Sequence, residues 1–119
     1  MALSQVNECL YCLSAHTAIG KMNRFSDQEI LELRGGYANF DNKLNALARL
    51  VRNLTENRGR ADQSVLDEFF SAGYNKGNLI DVIVAVGDKT ISNYIHNTTQ
   101  VPVDFPIAQP LEETAVVKQ

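Results

Sequence analysis

The sequence predicts an all-α protein, a bundle of about five helices. Apolar residues recur at helical spacing along most of the chain, and no stretch alternates apolar and polar residues between hairpin turns. All three prolines lie beyond residue 100, and proline is excluded from helix interiors. We therefore expect a helical domain over residues 1–100 and an extended C-terminal tail over residues 101–119.

The first two predicted helices are defined by their caps. The first covers about residues 8–22, with Asn7 as its N-cap and Ser4 as a competing cap one turn earlier. The second covers about residues 27–34 and begins with a capping box at Ser26. A pair of glycines follows it, which is typical of a helix end.

Three further helices are predicted at about 41–57, 62–72 and 77–97. The last is apolar over much of its circumference, and Leu50 lies off the main apolar stripe of helix 41–57. Such surface in a small domain is typical of burial against another subunit, so we expect a homo-oligomer. A central position of the last helix within one chain is the alternative explanation.

Composition and charge exclude several classes of function. The net charge is -3 and the pI is about 5.3, so there is no basic field to attract nucleic acid. No apolar run approaches the ~20 residues that a membrane span needs. The N-terminus lacks the basic flank and apolar core of a secretory signal, so we expect a cytoplasmic protein that does not bind membranes.

The segment 8–16 reads ECLYCLSAH, and it holds both cysteines of the chain and one of its two histidines. The spacing is C-x-x-C-x-x-x-H. On a helix, Cys9, Cys12 and His16 would share one face, because residues three and four apart are neighbours. The two cysteines would also lie within reach of a disulfide. The pattern predicts a redox-active thiol pair with a histidine that accepts a thiol proton.

The chemistry of such a pair suits the reduction of a peroxide. One thiolate attacks and becomes a sulfenic acid, the second thiol condenses with it to a disulfide, and an external dithiol resets the site. An Asn7 cap would place Cys9 in the first turn, where unpaired N–H groups stabilise a thiolate. His16 is instead one turn from Cys12. The two arguments favour different thiols, and the order of attack stays open.

Other interpretations of the motif also stay open. The thiols could simply be buried, and a zinc site would need a fourth ligand that the spacing does not supply. Glu8 suits the helix start as a solvated acid and could also tune the thiols. Tyr11 points off the cysteine face, where packing, substrate contact and proton transfer are all open roles. His96 suits the C-terminal end of a helix.

The motif resembles the active-site signature of the alkylhydroperoxidase D-like group, within the carboxymuconolactone decarboxylase superfamily. The resemblance continues in segments 25–29, 92–97 and 103–106, which read FSDQE, SNYIHN and VDFP and are similar to the peroxidase-related branch. It implies an all-α fold that assembles as dimers, trimers or hexamers. It also implies peroxidase activity without metal or organic cofactor, with Cys12 attacking the peroxide, Cys9 resolving and His16 relaying protons.

The chain departs from that family pattern in one respect. The family has a proton-relay glutamate on a helix before the first cysteine, whereas residues 1–7 contain no acid. Either the N-terminus is shortened relative to the family, or another acid takes over, such as Glu8 or one from another helix or subunit. Loss of the relay would weaken peroxidase activity and leave the disulfide chemistry intact.

The sequence therefore favours a cysteine-pair hydroperoxide reductase, an oxidoreductase of the antioxidant type. Its partners would be a hydroperoxide substrate and a dithiol reductant protein. Two alternatives belong to other classes of function. One is a redox-responsive oligomer without turnover. The other is a lactone decarboxylase, whose chemistry does not require two cysteines.

Overall fold

The computed structural model describes residues 1–111, which form six helices and no strand. The predicted all-α fold is confirmed over that range. The predicted tail has neither helix nor strand as far as Leu111, and its remainder lies outside the described residues. The helices are α1 Ala2–Val6, α2 Leu10–Met22, α3 Asp27–Gly35, α4 Asn42–Glu56, α5 Gln63–Ser71 and α6 Lys76–Thr99.

The predicted start of the first helix is wrong, because the chain breaks at residues 7–9. Glu8 has a φ of 54°, in the left-handed region, and Cys9 is extended and serves as the N-cap of α2. Asn7 does not cap the helix, because its side-chain amide donates a hydrogen bond of 3.0 Å to Oδ1 of Asn93 on α6. A tertiary hydrogen bond thus replaces the local cap that the sequence predicted.

The other helix ends follow their local signals more closely. The capping box at Ser26 is present, and α3 ends at Gly36 with a φ of 86°. Asp62 is the N-cap of α5, but its carboxylate accepts a hydrogen bond from Asn53 instead of capping the helix. α6 begins with a capping box at Asn75.

The main apolar core lies between α4 and α5. Leu50, Leu54, Val65 and Phe69 are its buried members, and Leu50 and Phe69 are fully buried. The interpretation of Leu50 as a sign of association is therefore wrong, because the residue packs within its own chain. α6 behaves differently, because most of its large apolar side chains are exposed. They are Ile80, Ile83, Val84, Ile91, Tyr94 and Ile95.

The short helix α1 lies among α2, α3, α4 and α6, and its first three residues are buried. The C-terminal segment 101–111 returns to the same region. The Ala108 amide donates a buried hydrogen bond of 3.0 Å to the Ser14 hydroxyl on α2, and Arg34 donates to the Gln109 carbonyl at 2.6 Å. The cysteine motif is therefore enclosed by α1, α6 and the C-terminal segment. Within residues 1–111, no helix combines the length and apolarity needed to span a membrane.

Candidate active site

The two cysteines form a disulfide at the start of α2. Their Cα atoms are 5.3 Å apart, well within the range that disulfides adopt. Cys9 has no exposed surface, whereas Cys12 keeps 6%. Both cysteines are therefore buried, and Cys12 is the one that retains some exposed surface.

The cysteines occupy different helix positions from those predicted. Cys9 was expected inside the first turn, but it is the N-cap, and Cys12 is the third helical residue. The Cys12 amide donates a hydrogen bond of 3.2 Å to Sγ of Cys9. A thiolate accepts such a bond more strongly than a disulfide sulfur does, because it carries a full negative charge. This geometry favours Cys9 as the more acidic thiol of the reduced pair.

His16 lies one turn after Cys12 on α2, as the spacing predicted. Burial lowers the pKa of His16 below 6.5, and the positive charges of the Met1 amino group and Lys89 lower it further. The imidazole is therefore neutral at pH 7 and able to accept a proton. Its buried Nδ1 has no hydrogen-bond partner among the described residues. A neutral ring with an unpaired nitrogen, on a residue one turn after Cys12, suits the role of a general base.

Tyr11 faces α6 and the C-terminal segment rather than the thiols. Its ring stacks on His96 with centroids 4.2 Å apart, and Phe105 packs edge-on at 5.8 Å. A hydrogen bond to the Asp104 carboxylate raises the pKa of Tyr11 above its ordinary value. No local pattern indicates the contacts with Asp104 and Phe105, because more than 90 residues separate them from Tyr11 along the chain.

Two other predicted candidates end up in different surroundings. Glu8 is exposed, in the left-handed turn before Cys9. His96 belongs to the Tyr11 cluster, and its buried Nδ1 has no hydrogen-bond partner within residues 1–111. The same range contains no group of three or more His, Cys, Asp or Glu side chains placed to hold a metal ion, so the zinc interpretation finds no ligand set there.

A cleft of about 370 Å³ lies between α4 and α6 and reaches Asn7, two residues before Cys9. Its walls are mainly apolar and include Leu54, Ile83 and Tyr94. Neither cysteine is among its lining residues. The cleft therefore reaches the turn before the cysteine motif without being lined by either cysteine.

A disulfide formed by C-x-x-C at the start of α2 is thus followed, one turn later, by a half-buried histidine. Residues 1–52 match the carboxymuconolactone decarboxylase family. The match spans α1, α2, α3 and most of α4, and so includes the whole cysteine motif. It confirms the resemblance over that stretch. No curated protein matches the chain.

Proposed function

We propose that this protein is a hydroperoxide reductase that works through the Cys9–Cys12 pair. The observation that carries the proposal is the disulfide at the N-terminus of α2, with the half-buried, neutral His16 one turn after Cys12. The match of residues 1–52 to the carboxymuconolactone decarboxylase family supports an enzyme of this superfamily. The finer assignment, to peroxide reduction, rests on the thiol chemistry.

The first step starts from the dithiol. His16 accepts the proton of the Cys12 thiol, and the Cys12 thiolate attacks the terminal oxygen of the hydroperoxide. An S–O bond forms and the O–O bond breaks, so the sulfur is oxidised by two electrons and the peroxide is reduced by two. The leaving alkoxide takes the proton back from His16 and departs as an alcohol. Cys12 is left as a sulfenic acid.

The second step closes the disulfide. The Cys9 thiolate, stabilised by the Cys12 amide, attacks the Cys12 sulfur, so that an S–S bond forms and the S–O bond breaks. The hydroxide leaves as water, with the proton that Cys9 gave up on ionisation. The result is the disulfide seen in the structure.

The third step needs a dithiol reductant, which we propose is a cytoplasmic protein. Its thiolate attacks the sulfur of Cys12, the cysteine that retains some exposed surface, and Cys9 leaves as a thiolate. A stabilised thiolate is the better leaving group. The reductant's second thiol then displaces Cys12 and ends as a disulfide, so two electrons and two protons pass to this protein.

The two single-cysteine variants test this order. Cys9→Ser keeps the attacking thiol, so one equivalent of cumene hydroperoxide should produce a sulfenic acid at Cys12 that dimedone traps. Cys12→Ser lacks the attacking thiol and should give no dimedone adduct. Neither variant should turn over with a dithiol reductant. An adduct in Cys12→Ser alone would reverse the roles, and normal turnover in both variants would contradict the proposal.

The exposed face of α6 supports a second part of the proposal, a homo-oligomer. Ile80, Val84, Ile91 and Tyr94 follow one another at spacings of three, four or seven residues, so they form one stripe along the helix. Light scattering of the wild type should give a mass above that of one chain. The variant Ile91→Glu places a charge in the stripe and should lower that mass, whereas Lys89→Gln, exposed on the opposite side of α6, should not.

That apolar stripe also favours the alternative function, a redox-responsive oligomer without turnover. It predicts that the mass in solution differs between the oxidised and the reduced protein. Equal masses together with peroxide turnover would exclude it. Decarboxylation of a lactone, suggested by the name of the matched family, does not require the thiols and would survive the loss of both.

A further inference from the structure

Asn93 is the one fully buried residue of α6, and its side chain is polar. Its amide nitrogen donates to the Ser4 hydroxyl on α1 at 3.1 Å, and its amide oxygen accepts from the Asn7 side chain at 3.0 Å. Burying an amide is costly unless its hydrogen bonds are made. Both hydrogen bonds of Asn93 are made to residues 4–7, the short segment that leads into the cysteine motif. A single residue of α6 therefore binds this segment at two positions.

The segment held in this way contains the turn that places Cys9 outside the helix. Asn97, one turn further along α6, donates to the Asn7 carbonyl at 2.8 Å. The next residue, Glu8, has a φ of 54°, which costs a non-glycine residue roughly 1–2 kcal/mol. The Cys9 amide then donates to the Ser4 carbonyl at 3.1 Å. The hydrogen bonds on either side of Glu8 offset the cost of its conformation.

The position of Cys9 at the N-cap follows from this turn. Were α1 to continue into α2, the Cys12 amide would bond to the backbone carbonyl four residues earlier. The turn instead leaves that amide free to donate to Sγ of Cys9. The hydrogen bond stabilises a Cys9 thiolate more than it stabilises a disulfide sulfur, so it favours the reduced form of the pair.

We propose that Asn93 is a positioning residue for the cysteine pair: it fixes the turn at residues 7–9, keeps Cys9 at the N-cap of α2 and thereby sets the balance between disulfide and dithiol. The inference rests on the proposed function only in treating Cys9 and Cys12 as a redox pair. The side chain of Asn93 is hydrogen-bonded to Asn7 and Ser4, through which it acts on the cysteine pair.

The test is an equilibrium with glutathione, in which two glutathione molecules reduce the protein disulfide and are themselves joined as one disulfide. Asn93→Ala removes both side-chain hydrogen bonds. We expect the equilibrium constant to shift about tenfold toward the protein disulfide, which is about 30 mV for this two-electron couple. We also expect the lower thiol pKa, followed by the ultraviolet absorbance of the thiolate, to rise by about one unit.

Asn45→Ala is the matched control. Asn45 also bonds through both ends of its amide, accepting from the Ala38 amide and donating to Glu68, and it belongs to α4. Its loss should lower the melting temperature and leave the glutathione equilibrium unchanged. An equal shift in Asn45→Ala, or no shift in a folded Asn93→Ala, would overturn the proposal.

A milder variant covers the case in which Asn93→Ala does not fold. Asn7→Ala loses only the bond to Asn93 and keeps the Asn93–Ser4 bond. It should shift the glutathione equilibrium in the same direction by about threefold, and an unchanged equilibrium would overturn the proposal. These measurements use no hydroperoxide. A protein inactive toward peroxides but shifted by Asn93→Ala would therefore contradict the proposed function alone.

Discussion

Two regions of this protein are held together by different forces. Between α4 and α5, the buried side chains are apolar, with Leu50 and Phe69 at the centre. Around the start of α2, several buried side chains are polar and bonded across long sequence separations. They are Ser4, Ser14, Arg34 and Asn93. Apolar packing tolerates small shifts, whereas hydrogen bonds fix direction and distance. The first region therefore supplies stability and the second supplies the geometry of the cysteine pair.

The largest effect on stability should come from the apolar region. Phe69 is fully buried, and its ring stacks on the ring of Tyr74 with the ring centroids 4.4 Å apart. Phe69→Ala should lower the free energy of unfolding by about 3–5 kcal/mol, measured with a chemical denaturant. The control Phe40→Ala, at a residue 39% exposed, should cost much less. If Phe69→Ala remains folded, its equilibrium with glutathione should match the wild type, and a shift there would break the comparison between the two regions.

The largest effect on chemistry should come from His16→Gln. Loss of the general base should slow peroxide-dependent thiol oxidation by about 10²-fold at pH 7. In the wild type, the rate should rise with pH through a midpoint below 6.5, because the pKa of His16 is lowered. The variant should lack that rise. His96→Gln, on α6, should have a much smaller effect, and equal losses in the two variants would contradict the role given to His16.

The same lowered pKa has a consequence for stability. The folded protein holds His16 neutral, whereas the unfolded chain takes up a proton below about pH 6.5. This contribution to stability is therefore present above that pH and is lost as the pH falls through the folded value. His16→Gln should make the free energy of unfolding less sensitive to pH below about 6.5. An unchanged pH dependence would contradict burial of the neutral ring.

A moderate effect is expected where the C-terminal segment meets α2. Ser14→Ala removes the acceptor of the buried Ala108 amide and should cost about 1–3 kcal/mol of stability. Hydrogen exchange at the Ala108 amide should become faster. Ser64→Ala, at an exposed serine of α5, is the control and should change neither quantity. Unaltered exchange at Ala108 would show that Ser14 does not hold the segment.

The smallest effect should come from Tyr11→Phe, which keeps the ring stacked on His96 and removes the hydroxyl that bonds to Asp104. The thermal midpoint near neutral pH should change little. Above pH 10, the wild type should lose stability that the variant keeps, because the unfolded chain releases the Tyr11 proton before the folded protein does. Parallel curves for the two proteins above pH 10 would contradict the Asp104 contact.

Much of the fold could be predicted from local sequence, because local forces decide it. The capping box at Ser26 and the glycine at position 36 set the bounds of α3, and the apolar periodicity located α4 and α5. The break at residues 7–9 could not be predicted in this way. Asn7, at that break, is hydrogen-bonded to Asn93, which lies 86 residues away in the sequence. The burial of Leu50 depends on α5 in the same manner.

Some features of the candidate site could likewise be predicted from local sequence, and others could not. The pairing of Cys9 with Cys12 and the position of His16 one turn later follow from spacing along a single segment. Two other features depend on contacts with distant parts of the chain. One is the position of Cys9 at the N-cap of α2, which follows contacts with α6. The other is the cluster that Tyr11 forms with His96 of α6 and Asp104 of the C-terminal segment. Such contacts leave no periodic signal in the sequence.

The most direct test of the account is a single addition of hydroperoxide to the fully reduced protein. One equivalent of cumene hydroperoxide is added, and free thiols and intact mass are followed together. We expect both thiols to disappear and the mass to fall by about two hydrogens, with the disulfide mapped to Cys9 and Cys12. Thiols and mass that stay unchanged over minutes would contradict the assignment of this protein as a hydroperoxide reductase.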